Sequence, residues 1–186
     1  MSRFDITDLP LPGLKLIQRK PLGDARGFLA RLFCADELST AGWQRPIAQI
    51  NHTCTARRGT VRGMHYQLPP HAEMKLVTCL RGGIWDVAVD LRADSPTFLH
   101  WHTEILSAEN QRALLIPEGF AHGFQTLTDD VELLYCHSAP HMPGAEGGLN
   151  PFDERLGIAW PEPISVLSER DRNHPLLDSA FTGLTP

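Results

Sequence analysis

The densest run of chemically capable side chains is Arg62-Gly63-Met64-His65-Tyr66-Gln67, followed by Lys75. An imidazole titrates near neutral pH, so His65 can take up or give back a proton under working conditions. A guanidinium and an ammonium close by make a site for an anion, or for an oxyanion that develops during a reaction. Alternate residues of a strand share a face. Arg62, Met64 and Tyr66 then point one way and Val61, Gly63, His65 and Gln67 the other. One pocket that holds both Arg62 and His65 therefore requires a bend, expected at Gly63. A second run, Ile116-Pro117-Glu118-Gly119-Phe120-Ala121-His122-Gly123-Phe124, puts His122 just after a turn and in the first, inward-facing part of a strand.

These groups need elements to hold them, and the pattern around them is that of short strands. Strands are expected at 14–19, 28–34, 47–53, 60–67, 74–80, 84–90, 99–106, 112–116, 123–127 and 131–136. Arg81-Gly82-Gly83 reads as a hairpin turn between two of them. A short helix is expected at 36–42 and a helical turn near 167–170. Roughly ten strands at this spacing predict an all-β sandwich or jelly-roll barrel. With 186 residues, no repeat and no low-complexity linker, residues 1–186 are expected to form a single domain. The 15 Gly and 15 Pro suit many turns better than long helices.

A net charge of −5 gives no reason to expect a nucleic-acid or membrane surface, so any anionic ligand must be met by local basic residues. No apolar run approaches the ~18 residues that span a bilayer. The N-terminus shows no basic-then-apolar signal pattern, and a cytoplasmic protein is expected. Cys34, Cys54, Cys79 and Cys136 lack metal-type spacing; three lie in apolar surroundings and read as small buried hydrophobes of a reducing compartment.

The stretch around His122 resembles the second motif of cupin jelly rolls, in which the histidine is a metal ligand. The matching first motif here is His65-Tyr66-Gln67, which lacks the second histidine. His71 and Glu73 could stand in, but they follow Pro69-Pro70 and read as an exposed turn, so no metal is expected. A closer resemblance is carried by an ordered set. It comprises Asp24-x-Arg26-Gly27, Gln49-Ile50-Asn51, Gly59-x-x-Arg62-Gly63-x-His65-Tyr66-Gln67, Lys75-Leu76-Val77 and Asp86-Val87-x-Val89-Asp90-Leu91-Arg92. It continues through Ser95-Pro96-Thr97-Phe98, Leu106-Ser107-x-x-Asn110, Gly119-Phe120-Ala121-His122-Gly123-Phe124 and Trp160-Pro161. This set, spanning about residues 14–175, resembles the dTDP-4-dehydrorhamnose 3,5-epimerase family.

The resemblance implies a cupin-type jelly roll, a homodimer, no metal or other cofactor, and a nucleotide-linked 4-keto-6-deoxyhexose as substrate. It implies His65 as base, Tyr135 as acid on the other ring face, Asp171 as the group that orients His65, and Lys75 as stabiliser of the enolate. It further implies that Arg26, Gln49, Asn51, Arg62, His122, Glu146 and Arg170 contact sugar or diphosphate. The match departs at Arg31, where the family has Glu, at Arg170, where it has Lys, and at Leu22 and His141, where it has aromatics expected to pack on the thymine. The alternatives are a 3-epimerase or 3,4-ketoisomerase on a related sugar nucleotide, a metal-dependent cupin enzyme such as a dioxygenase, and a sugar-binding cupin without catalysis.

Overall fold

The computed structural model describes residues 2–185. Its elements are β1 (Phe4–Asp8), β2 (Lys15–Arg19), β3 (Leu22–Asp24), β4 (Gly27–Leu29), α1 (Ala35–Ser39), β5 (Gln49–Thr55), β6 (Thr60–Gln67), β7 (Lys75–Arg81) and β8 (Gly83–Asp90). After these come β9 (Trp101–Ser107), β10 (Arg112–Ile116), β11 (Phe120–Thr126), β12 (Val131–His137), β13 (Glu146–Gly148), β14 (Val166–Leu167) and α2 (Glu169–Arg172).

One sheet runs β1-β2-β10-β7-β12-β5 and a second runs β13-β6-β11-β8-β9, with β14 added beside β6. The two face each other across a shared apolar layer, in which Val77, Leu114 and Leu133 of the first meet Ile84, Ala88, Phe120 and Phe124 of the second. This is the expected jelly roll. Period-two alternation sorts each strand. On β12, Leu133, Tyr135 and His137 face inward, while Leu134 and Cys136 lie in the outer layer with Leu38 and Trp43 beside α1. On β7, Lys75, Val77 and Cys79 face inward and Leu76 outward. The outer face of the second sheet is covered by residues from the C-terminal segment, among them Leu156, Leu177 and Leu184.

Two expectations about turns meet different fates. The bend at Gly63 is present: His65 pairs with His122, but Arg62 pairs with Phe124, so β6 carries an extra residue against β11. A Cβ on Gly63 would lie 2.5 Å from the Gly123 Cα, and its φ is +129°, so glycine is required there. The hairpin at Arg81-Gly82-Gly83 is not present. β7 pairs with β10 and β12, and β8 with β11 and β9, so this corner carries the chain from one sheet to the other. Gly82, at φ +71°, makes the corner, and Thr128 accepts the Gly83 N–H at 3.2 Å.

The strand expected at 28–34 shrinks to β4, which pairs only with β3 in an exposed hairpin. Among the cysteines, Cys79 and Cys136 are buried, Cys34 is half-buried and Cys54 is exposed; all four are free. No helix among the described residues is long and apolar enough to cross a membrane.

Candidate active site

The inner faces of the two sheets part at one end to leave a cavity of about 730 Å³. Ten of the residues expected to act line it together: Gln49 and Asn51 from β5, Arg62 and His65 from β6, Lys75 from β7, His122 from β11, Tyr135 from β12, Glu146 from β13, and Arg170 and Asp171 from α2. Arg26 is the exception. It lies at the tip of the β3–β4 hairpin, 89% exposed, and its guanidinium is held 2.5 Å from Asp24. Within its own chain it is no part of the cavity, because the hairpin pairs with neither main sheet.

His65 is built from two distant pieces of chain. Its Nε2 donates to Asp171 Oδ1 at 2.8 Å, while Asp171 Oδ2 accepts the Gly63 N–H at 3.2 Å. Asp171 reaches this place because β14 runs parallel to β6, and α2 then starts at Ser168, whose hydroxyl accepts the Asp171 N–H at 3.0 Å. Burial alone would raise the Asp171 carboxyl, but the hydrogen bond and charge of His65, with the Gly63 and Ser168 contacts, hold it below the usual range. An ionised carboxylate accepts from Nε2 and leaves Nδ1 with the free lone pair.

The opposite wall is the first sheet. There Tyr135 is almost fully buried, stacked on His137 with ring centroids 5.9 Å apart and edge-on to His122 at 5.9 Å. Burial and the nearby Asp86 charge push its phenol well above the usual value, outweighing the pull of Arg62. It therefore holds its proton at neutral pH. Lys75 donates to the His65 carbonyl at 3.3 Å and pairs with Glu73 at 3.3 Å, so its ammonium joins the His65 strand to a carboxylate just before its own strand. His122 bonds the wholly buried Asp86 at 2.7 Å, and burial keeps that carboxyl above the usual range despite the histidine's charge. At the cavity's edge, Arg62 donates to Thr55 at 3.0 Å and Arg170 to Glu146 at 2.7 Å, and both are otherwise exposed.

Three groups of consequence were not anticipated from sequence. Glu73 is not in an exposed turn: its side chain is 9% exposed and lines the cavity, bonded to His137 Nδ1 at 2.7 Å. Burial raises its carboxyl, but His137 and Lys75 more than offset this and hold it low. Glu73 and His137 each stand two residues from an expected site residue, Lys75 and Tyr135, and the strand period alone could have pointed to both. His174 comes within 3.7 Å of Asp171. With His65 and Asp171 it forms the one cluster of three metal-capable donors within 4.8 Å among the described residues, and neither His71 nor His122 belongs to it.

A jelly roll with a His–carboxylate pair on one wall of its cavity and a buried tyrosine on the other defines a cupin-like fold. The dTDP-4-dehydrorhamnose 3,5-epimerase family model matches residues 8–179, and the chain belongs to that family. It is 41% identical to a dTDP-4-dehydrorhamnose 3,5-epimerase of Sinorhizobium fredii, over 91% of this chain and 87% of the relative. It is 40% identical to a dTDP-4-dehydro-6-deoxyglucose 3-epimerase of Streptomyces bikiniensis, over 88% and 84%. A crystal structure of dTDP-4-dehydrorhamnose 3,5-epimerase from Bacillus anthracis with TDP and PPi bound superposes with a TM-score of 0.89 at 40% identity, covering 94% of this chain and 99% of that one.

Proposed function

We propose that the protein epimerises a dTDP-linked 4-keto-6-deoxyhexose at C3, C5 or both, by removing a proton on one face of the ring and returning one on the other. The observation that carries this reading is the placement of His65 and Tyr135 on opposite walls of one cavity, since inversion needs a group on each ring face.

The ketone acidifies the C–H bonds beside it. His65 Nδ1 takes the proton, and Asp171 stabilises the imidazolium that results. The electron pair moves onto the ketone oxygen, where Lys75 supplies positive charge without a metal. Tyr135, buried and protonated, then delivers a proton to the carbon from the other side. Arg62 and Arg170 present planar guanidinium forks suited to diphosphate oxygens. Gln49, Asn51, His122 and Glu146 are assigned to the sugar and its linkage.

The chain is read as one jelly-roll domain that works in the cytoplasm as a homodimer. The β3–β4 hairpin supports a dimer, because Phe28 and Leu29 are 67% and 73% exposed on an element that pairs with neither main sheet. A second copy would cover them and would give Arg26 a cavity to reach.

The test is proton NMR of dTDP-4-keto-6-deoxyglucose incubated with the protein in deuterated water. Loss of the C3 or C5 signal reports each abstraction, and separates a 3-epimerase from a 3,5-epimerase. His65→Ala should slow this exchange by roughly 10² to 10⁴, the worth of a positioned base. An unchanged rate in a folded variant would remove His65 from the chemistry. Chelators should leave the rate unchanged; a rate restored only by added metal would favour the metal-dependent cupin.

A further inference from the structure

A continuous file of hydrogen bonds crosses the floor of the cavity and joins groups assigned to binding with the lysine assigned to chemistry. It starts where the His141 backbone N–H donates to Gln49 Oε1 at 2.9 Å. Gln49 Nε2 donates to Asn51 Oδ1 at 3.1 Å, and Asn51 Nδ2 meets His137 Nε2 at 3.3 Å. His137 Nδ1 meets Glu73 Oε2 at 2.7 Å, and Lys75 Nζ meets Glu73 Oε1 at 3.3 Å. Lys75 Nζ continues to the His65 carbonyl.

The direction of every bond is set from the two ends. A backbone N–H can only donate, so Gln49 must present its oxygen to His141 and its amide N–H to Asn51. Asn51 must then accept on its oxygen and donate from its nitrogen. His137 Nε2 has to be the bare, accepting nitrogen, and Nδ1 has to carry the proton. That agrees with the far end, because an ionised carboxylate can only accept. Glu73 thus receives one donor on each oxygen, an ammonium and an imidazole. If His137 were removed, one Glu73 oxygen would lose its donor and its charge would fall wholly on Lys75. Asn51 would lose the acceptor that fixes its amide.

We propose that His137 is a positioning residue that, through Glu73, ties the amides of Gln49 and Asn51 to Lys75, so that sugar binding and enolate stabilisation act as one unit. This rests on the epimerase reading for its kinetic consequence but not for its wiring. Groups joined in such a network respond to substitution non-additively, and mutant cycles measure that directly.

The wiring is tested by ring ¹⁵N resonances of His137 in the full-length protein without ligand. The expected result is a neutral ring protonated on Nδ1 and bare on Nε2. A proton on Nε2, alone or with one on Nδ1, overturns the proposal whatever the protein's activity. The consequence is tested by kcat/KM for the 4-keto sugar nucleotide in a cycle of Asn51→Ala and Glu73→Gln, two residues whose side chains are joined by hydrogen bonds through His137 among the described residues. Their effects should depart from multiplicative by about threefold or more with His137 present. In a His137→Phe background, which keeps a ring against Tyr135, the departure should fall below about twofold. His137→Leu replaces that background if the Phe variant does not fold. Multiplicative effects with His137 present, or coupling that survives its removal, overturn the transmission. A wild-type protein with no exchange activity would instead refute the epimerase reading, and the ring resonances still decide the wiring.

Discussion

Asp171→Asn isolates what the carboxylate does, because its surroundings dictate how the amide must sit. The Asp171 carboxylate accepts two hydrogen bonds, from the Gly63 N–H at 3.2 Å and from the His65 ring at 2.8 Å. The Gly63 N–H only donates, so an asparagine must turn its oxygen there and its NH₂ toward His65. The ring then accepts on Nε2 and carries its proton on Nδ1, the nitrogen that should be the base. Restoring the productive tautomer sets two donors against each other in a site where residue 171 is only 4% exposed. An unmade buried hydrogen bond costs about 1–3 kcal/mol, and the lost charge-assisted bond to the imidazolium about 1.5–3 kcal/mol more. Together these give about 2.5–6 kcal/mol, or roughly 10² to 10⁴ in rate at 1.36 kcal/mol per decade. The assay is deuterium incorporation into the sugar, with a thermal melt to show that the fold persists. A variant that folds and exchanges within about threefold of wild type would mean that Asp171 neither sets the tautomer nor stabilises the imidazolium.

Tyr135→Phe keeps the ring stacked on His137 but removes the acid; it should still exchange substrate C–H for deuterium while inverted product falls much further. Lys75→Met removes enolate stabilisation and should slow exchange and inversion together, by roughly 10² or more; NMR of both variants in deuterated water compares the two ratios. Gly63→Ala should cost about 1–3 kcal/mol in a denaturant melt, since its Cβ meets the Gly123 Cα and its φ is positive. Acid should destabilise the fold. In Glu73, Asp90 and Asp171, burial raises the carboxyl but ion pairs and hydrogen bonds more than offset it, leaving each folded pKa below its unfolded one. Their stabilisation is complete above the unfolded value near about pH 4 and is lost as pH falls through the lowered folded values. Asp86, raised by burial, acts in the opposite sense. Melting temperatures measured from about pH 6 to pH 2 should fall, and a flat profile would deny these three carboxylates a net role.

Most of the longer strands could be read from the chain: β6 and β10 have the bounds that their patterns predict, and β7, β8 and β12 differ by a residue or so, although the five-residue edge strand β1 was not expected. What escaped was short or non-local. β3, β13 and β14 span two or three residues and exist through their pairing, which no window of sequence displays. Gly82-Gly83 announces a tight turn but not whether the outgoing strand pairs with the incoming one or crosses to the facing sheet. In the site, Arg62, His65 and Lys75 were legible because they crowd one strand and the start of the next strand along the chain. Tyr135 and Asp171 came only from family resemblance, since nothing local marks a strand tyrosine or a helix-start aspartate as partners of a histidine far along the chain. Glu73 was misjudged because Pro69-Pro70 suggested an exposed loop, whereas the chain is already turning into β7 when it reaches that residue.

The parallel seam between β14 and β6 has a bearing on how the molecule is made. His65 and its carboxylate are 106 residues apart, and every strand of both main sheets except β14 ends before Val166, where the segment that brings Asp171 to His65 begins. Synthesis delivers the N-terminal side of the chain first. A nascent chain stalled before Val166 would own a largely assembled sandwich, complete with tyrosine, lysine and imidazole, yet no partner to polarise that imidazole. Catalytic competence would arrive as a late event, separate from core formation, when two residues of strand and one turn of helix zip onto an edge already in place. Pulse-chase translation with exchange activity as the readout would show these two stages as two times.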